Sequence, residues 1–151
     1  LSDACVYNGL ELMAIPPDLD QAFRAFIPPF GAAGNPIDIT GGEPPKTYQN
    51  TIRLGLEDER IHALILGYWH TIITPPMVFA RLAVEVVEEF RQKGVNKPVV
   101  VSLAGDVEVE EAASYLFDHG IPAYPYTTEM PVAMLGAKYR WARSAGLLPR
   151  R

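Results

Sequence analysis

At 151 residues, 48% hydrophobic and 21% charged, the chain has the size and composition of one globular domain with a sizeable core. Its net charge of −5 argues against a nucleic-acid binder, which needs a basic face, but leaves phosphate binding open because local backbone dipoles act under a mildly acidic total. The single cysteine, Cys5, excludes an internal disulfide and a Cys-rich metal site and fits a reducing cytoplasm, and no apolar run reaches the length of a membrane span.

The chain opens on Leu1 rather than methionine and shows no signal peptide, which reads as a fragment, a processed chain or a trimmed one. Leu1 to Gly9 predicts a helix closed by a glycine. Leu10 to Ile15 is a short edge strand or an extended connection, broken by Pro16-Pro17. A short helix follows, with Asp18 as its N-cap or a first-turn acid, and ends before Pro28-Pro29. Gly31 to Gly34 is a flexible loop.

The run Asn35-Pro36-Ile37-Asp38-Ile39-Thr40-Gly41-Gly42 predicts a strand over Ile37–Thr40 that stops at two glycines and feeds a helix from about Pro44 to Leu56. Bare backbone N–H groups at a helix N-terminus make such a turn a ready site for phosphate or carboxylate. The pattern then repeats. His62 to Tyr68 is a nearly continuous apolar strand, and Pro75-Pro76 opens a long helix whose Val78, Phe79, Leu82, Val86 and Phe90 fall at helical spacing, closed by Gly94. Pro98 to Leu103 is a buried-type strand, followed by a helix from about Val107 to His119. Pro122 to Pro125 is a proline-limited edge strand, and a last helix starts at Thr127-Thr128-Glu129 and runs to about Ser144. Four βα units counted from Ile37 indicate a doubly wound, flavodoxin-like α/β fold with a parallel sheet covered on both faces. Residues 1–34 read as an N-terminal helical segment, 35–146 as the domain proper and 147–151 as a tail.

In such sheets ligands bind beyond the carboxyl ends of the strands. Three loops qualify: Thr40-Gly41-Gly42, Trp69 to Thr74, and Ala104-Gly105-Asp106. The candidate anion-binding residues are Gly41, Gly42, His70, Thr71, Ile72 and Gly105, with Asp38 and Asp106 in support. His70 directly follows a strand, where an imidazole can hydrogen-bond an anion or move protons, or where it and Trp69 pack against a neighbouring domain. Asp38 belongs to a strand expected to be buried and orients the glycine loop through backbone N–H groups. Asp106 is most economically an N-cap, and Glu108, Glu110 and Glu111 a solvated helix face. His62 and His119 are structural, and Cys5 is inert. The sequence contains no phosphate-binding P-loop, dinucleotide fingerprint, nucleophile elbow or metal-ligand spacing, so no catalytic or metal-binding residue is assigned.

Gly34 to Gly42 resembles the N-P-x-D-x-x-G segment of NDP-forming acyl-CoA synthetases, the relatives of succinyl-CoA synthetase. The similarity extends upstream through Asp3-Ala4-Cys5, Gly9 to Leu12 and Phe26 to Phe30. Downstream it takes in Glu57-Asp58 to Leu66, Lys97 to Val101, Glu110-Glu111-Ala112, Gly120-Ile121-Pro122 and Ala142-Arg143. The resemblance implies the second flavodoxin-like ligase domain, with strand order 2-1-3-4-5 and the first, central strand missing from this chain and supplied by another segment. It also implies conversion of acyl-CoA, ADP and phosphate to acid, CoA and ATP through a phosphohistidine of a neighbouring domain, not His62, His70 or His119. This domain's part is the helix N-terminus after Trp69-His70-Thr71, where relatives carry Gly-Gly or Thr-Pro. The implied partners are CoA-binding, phosphohistidine and ATP-grasp domains in a homo- or hetero-oligomer, with Mg in the ATP-grasp domain and no cofactor held by this chain alone. Two other readings stand beside it: a non-catalytic anion-binding or regulatory module, and a hydrolase using His70.

Overall fold

The computed structural model describes residues 1–148. Three strands, β1 (Leu64–Trp69), β2 (Val99–Ala104) and β3 (Ala123–Pro125), form a parallel sheet in the order β1-β2-β3. The register pairs Leu64 with Val99 and Trp69 with Ala104, then Val101 with Ala123 and Leu103 with Pro125. Parallel neighbours need crossovers, supplied by α4 (Pro76–Gln92) and α5 (Glu108–Asp118). Helix α3 (Pro45–Glu57) packs on α4, and α4 on α5, to form one helical layer. Helix α6 (Glu129–Ser144) covers the opposite face and carries α1 (Ser2–Tyr7). The result is an open, flavodoxin-like α/β sheet between two helical layers.

Strand alternation explains how β2 serves both layers. Val99, Val101 and Leu103 join the core built by Phe79, Val86 and Phe90 of α4 and Val109 and Leu116 of α5. The intervening Ser102 turns its Oγ to donate to Thr127 O, 2.8 Å away, at the entry to α6. All of β2 is buried except Ala104 at its end, whereas in β1 only Tyr68 is buried, and the outer edge of β1 is unpaired among the described residues.

The helix boundaries follow from proline chemistry. Helices α2 (Pro17–Arg24), α3 and α4 each begin on a Pro-Pro pair, one proline at the N-cap and the next at the first helical position. There the absent N–H costs no intrahelical hydrogen bond and the fixed φ suits the helix. Helices α1 and α4 are followed by glycines in the left-handed region, Gly9 at φ +71° and Gly94 at +84°. Asp18 is a first-turn acid of α2 rather than its N-cap, and Leu10 to Ile15 is an extended connection rather than a strand. The predicted tail is described only as far as Leu148, and its last three residues lie outside the described residues.

One predicted strand does not form. Ile37–Thr40 makes a single antiparallel bridge, Asp38 to Ala32, and takes no place in the sheet. Among the described residues the chain therefore builds three βα units, not the four expected. The segment is β-prone, but no neighbouring strand offers it a ladder. Its apolar side chains Ile37 and Ile39 instead pack on a small second core of Leu19, Phe23, Ile27 and Ala33. Asp38 is consequently exposed, not buried as expected. Its Oδ1 accepts the Thr40 N–H at 2.8 Å, and Thr40 adopts φ +63° at the turn. Arg60 fastens this subdomain to the rest, with Nη2 at 2.7 Å from Asp18 and 2.6 Å from Asp58.

Candidate functional site

The three loops singled out in the sequence meet at the carboxyl end of the sheet. Thr71 and Thr74 organise the middle one. Thr71 Oγ1 donates to Thr74 O and accepts the Thr74 N–H, both at 3.1 Å. The buried Tyr68 Oη donates to the same carbonyl at 2.7 Å and accepts the Thr71 N–H at 3.4 Å. Thr74 Oγ1 then donates to Glu43 O at 2.8 Å, which ties this loop to the Gly41-Gly42 turn. A Cβ placed on Gly41 would lie 3.7 Å from Thr71 Cγ2, so the two turns are in contact distance of each other.

On the other side, the His70 N–H donates to Ala104 O at 2.8 Å and extends the β1–β2 ladder by one step. The imidazole then sits at the α5 N-terminus, with Nδ1 3.1 Å from Asp106 Oδ1 and Nε2 3.6 Å from Glu108 Oε2. Asp106 Oδ1 also accepts the Glu108 N–H at 3.2 Å, a capping contact made from one position before the N-cap, Val107. Gly105 is what lets β2 turn beneath the histidine. A Cβ there would come within 2.6 Å of His70 Cβ and 2.9 Å of Val109 Cγ1. Beside this turn an open cleft of ≈ 550 Å³ is lined by Trp69, Ser102, Gly105, Tyr126, Thr127 and Glu129.

Of the residues selected from the sequence, Gly41, Thr71 and Asp38 gather around the first two turns, and His70, Gly105 and Asp106 around the third. Gly42 is exposed, with open space where its side chain would be. Ile72 points outward at 95% exposure, and with Trp69 and Ile73 it forms an apolar rim. At α4 the donors are fewer than the sequence pattern suggests. Of the four N-terminal positions, Pro75 and Pro76 carry no N–H, which leaves Met77 and Val78. Phe79 N–H already bonds Pro75 O at 3.0 Å.

His119 caps the C-terminus of α5, its Nδ1 2.8 Å from Tyr115 O, and His62 is exposed ahead of β1. The sequence places Glu108 on a solvated helix face and shows no metal-ligand spacing. The structure nevertheless brings His70, Asp106 and Glu108 together, with one ligand atom from each lying within 4.8 Å of the others. Thirty-six residues separate His70 from Asp106, and only the β1–β2 register closes that distance.

Burial pushes the Tyr68 phenol up to about 12. Because its folded value lies above the ordinary one near 10, Tyr68 contributes stability that is complete below about pH 10 and is lost as pH rises toward 12. Tyr68→Phe removes the donor to Thr74 O and costs about 1–2 kcal/mol at neutral pH. It also flattens the alkaline limb of a stability profile measured by urea denaturation from pH 8 to pH 11. An unchanged alkaline limb would show that the phenol does not hold the loop.

An open parallel sheet with its loops gathered at the carboxyl end of the strands defines a flavodoxin-like α/β domain with its candidate site at that end. The chain belongs to the Ligase-CoA domain family, which matches residues 1–149. Among its relatives, the alpha subunit of the ADP-forming acetate–CoA ligase I of Pyrococcus furiosus is 34% identical over 94% of this chain and 30% of its own length. The beta subunit of the ADP-forming succinate–CoA ligase of Francisella tularensis is 27% identical over 80% of this chain and 28% of its own. Among solved structures, the apo form of dinucleotide forming acetyl-coenzyme A synthetase 1 from Ca. Korarchaeum cryptofilum superposes with a TM-score of 0.85. It is 37% identical over 94% of this chain and 30% of that one. The chain thus spans about a third of the length of the relatives it matches.

Proposed function

We propose that this chain serves as the second ligase domain of an NDP-forming acyl-CoA synthetase, which converts acyl-CoA, ADP and phosphate to acid, CoA and ATP through a phosphohistidine carried by another domain. Its part is to stabilise that phosphohistidine with the N-terminal end of α4 and the His70–Ile72 loop. The observation that carries the reading is the convergence of the Gly41 turn, the Thr71–Thr74 loop and the α4 N-terminus at one end of the sheet. The helix dipole and the Met77 and Val78 N–H groups favour an anion there. Asp106 and Glu108 crowd the α5 side with negative charge, so the anion is assigned to the Gly41–Thr71 side.

The relatives' names support the reaction class, and the apolar rim of Trp69, Ile72 and Ile73 supports cover by a partner domain of the synthetase. The open edge of β1 supports a further strand from the same enzyme. CoA, ADP and phosphate are bound by the whole cytoplasmic enzyme, in a homo- or hetero-oligomer, with Mg in its ATP-grasp domain. No helix among the described residues is long and apolar enough to cross a membrane.

The test is a coupled assay of the full-length gene product with acyl-CoA, ADP and phosphate across a panel of acids, together with phosphohistidine detection. ATP formation with an acid-labile phosphoenzyme is expected. Phosphate binding without either result rejects the ligase reading and favours a non-catalytic anion-binding module of the same fold.

A further inference from the structure

We propose that His70, Asp106 and Glu108 form a binding site for a divalent transition-metal ion, independent of the synthetase reading above. The argument starts from the two faces of one imidazole. Nδ1 lies 3.1 Å from Asp106 Oδ1, hydrogen-bond distance for a protonated nitrogen. With the proton there, Nε2 carries a lone pair that faces the Glu108 carboxylate at 3.6 Å. A lone pair and a carboxylate repel, so the arrangement calls for a positive centre between them, either a second proton on the imidazole or a metal ion, and titration with metal separates the two. Ligand atoms held by bonds of about 2.1 Å stand roughly 3 Å or slightly more apart, so a small closing movement seats a metal between Nε2 and Glu108. Asp106 then plays the orienting part that carboxylates play behind metal-bound histidines, and it offers a further oxygen within 4.8 Å.

The surroundings support a cation. Among the described residues neither Asp106 nor Glu108 pairs with a lysine or arginine, and Glu110 follows in the same turn of α5. The positive end of the α5 dipole offsets part of this charge but cannot satisfy the Nε2 lone pair. The histidine itself is well placed. Its side chain is 23% exposed, with its Cβ pressed against Gly105, while the two carboxylates remain accessible at about 60%. One imidazole with two carboxylates suits zinc, cobalt or manganese better than calcium, whose ligands are all oxygen. With Nε2 and Glu108 as direct ligands and Asp106 holding the imidazole from behind, positions remain for water or a small anion.

The test uses the full-length polypeptide at about pH 7.5, titrated with Co²⁺ by visible absorption and with Zn²⁺ by calorimetry. Because the rest of the polypeptide can bind metal too, the readout is the difference between wild type and three variants, His70→Ala, Asp106→Asn and Glu108→Gln. Each variant is expected to remove one equivalent or weaken it at least about tenfold, while His62→Ala, at an exposed histidine, leaves binding unchanged. The two carboxylates lie at the surface and His70 is half-buried, and circular dichroism checks that the variants fold. Identical titrations for wild type and variants would overturn the site. So would loss in His70→Ala alone with wild-type binding in both carboxylate variants, which would mean a lone surface histidine. A histidine holding only a proton between the carboxylates gives no Co²⁺ absorption that differs between wild type and the variants, and that also overturns it.

Discussion

Phe79→Ala is expected to lower folding stability by about 3–5 kcal/mol, the cost of emptying a fully buried aromatic site. Phe79 is 2% exposed in the first turns of α4. Its ring stacks on Tyr68 at 4.4 Å and meets the edge of Tyr48 at 5.7 Å, so three aromatic residues from β1, α3 and α4 close the core directly beneath the site. Removing the middle ring leaves a void that the sheet and helices can only partly fill. The effect reaches the loops because Tyr68 is the donor to Thr74 O. Urea denaturation followed by circular dichroism measures the loss. Val78→Ala, one position earlier and exposed, is expected to stay within about 1 kcal/mol of wild type. A loss below about 1 kcal/mol in Phe79→Ala would mean that this aromatic contact does not support the fold.

Gly105→Ala is the second large effect, expected at about 1–3 kcal/mol, because it forces atoms into space already taken. The new methyl would lie 2.6 Å from His70 Cβ and 2.9 Å from Val109 Cγ1. Neither is the free end of a flexible chain. His70 is fixed by its N–H to Ala104 O, and Val109 is fully buried in α5. Relief therefore requires β1 and α5 to separate at the carboxyl end of the sheet, displacing His70 from Asp106. Gly42→Ala provides the contrast. A Cβ there meets nothing within 4 Å, and its backbone is not in the left-handed region, so a change under about 0.5 kcal/mol is expected. The same denaturation series compares the two. Equal effects would show that the close approach at Gly105 is relaxed at no cost.

The contrast between these glycines also marks what could be read from residue order. Gly41-Gly42 stood out as a pair ending a β-prone run, yet Gly42 faces open space. Gly105 had no more than the ordinary signal of a βα turn, and among Gly41, Gly42 and Gly105 it is the tightest crossing. Propensity describes one residue and its neighbours, whereas the Gly105 contact involves His70, reached through strand pairing. Asp38 failed in the same way. Its expected burial depended on Ile37–Thr40 having a strand beside it, and that partner is a property of the sheet rather than of the segment.

What the residues determined by themselves is local and periodic. Helical spacing located α4, and an unbroken Val-Val-Val run located the central strand β2. Pro-Pro pairs marked the starts of α3 and α4, because proline restricts its own backbone whatever surrounds it. The order of short motifs was enough to indicate the CoA-ligase family. Only tertiary structure decided which predicted strand would find a ladder, and which of three loop glycines was sterically required. It alone placed a histidine between two carboxylates 36 and 38 positions away. Hydrogen-bonded strand pairing and steric contact act through space, and residue order specifies them only once the sheet has formed.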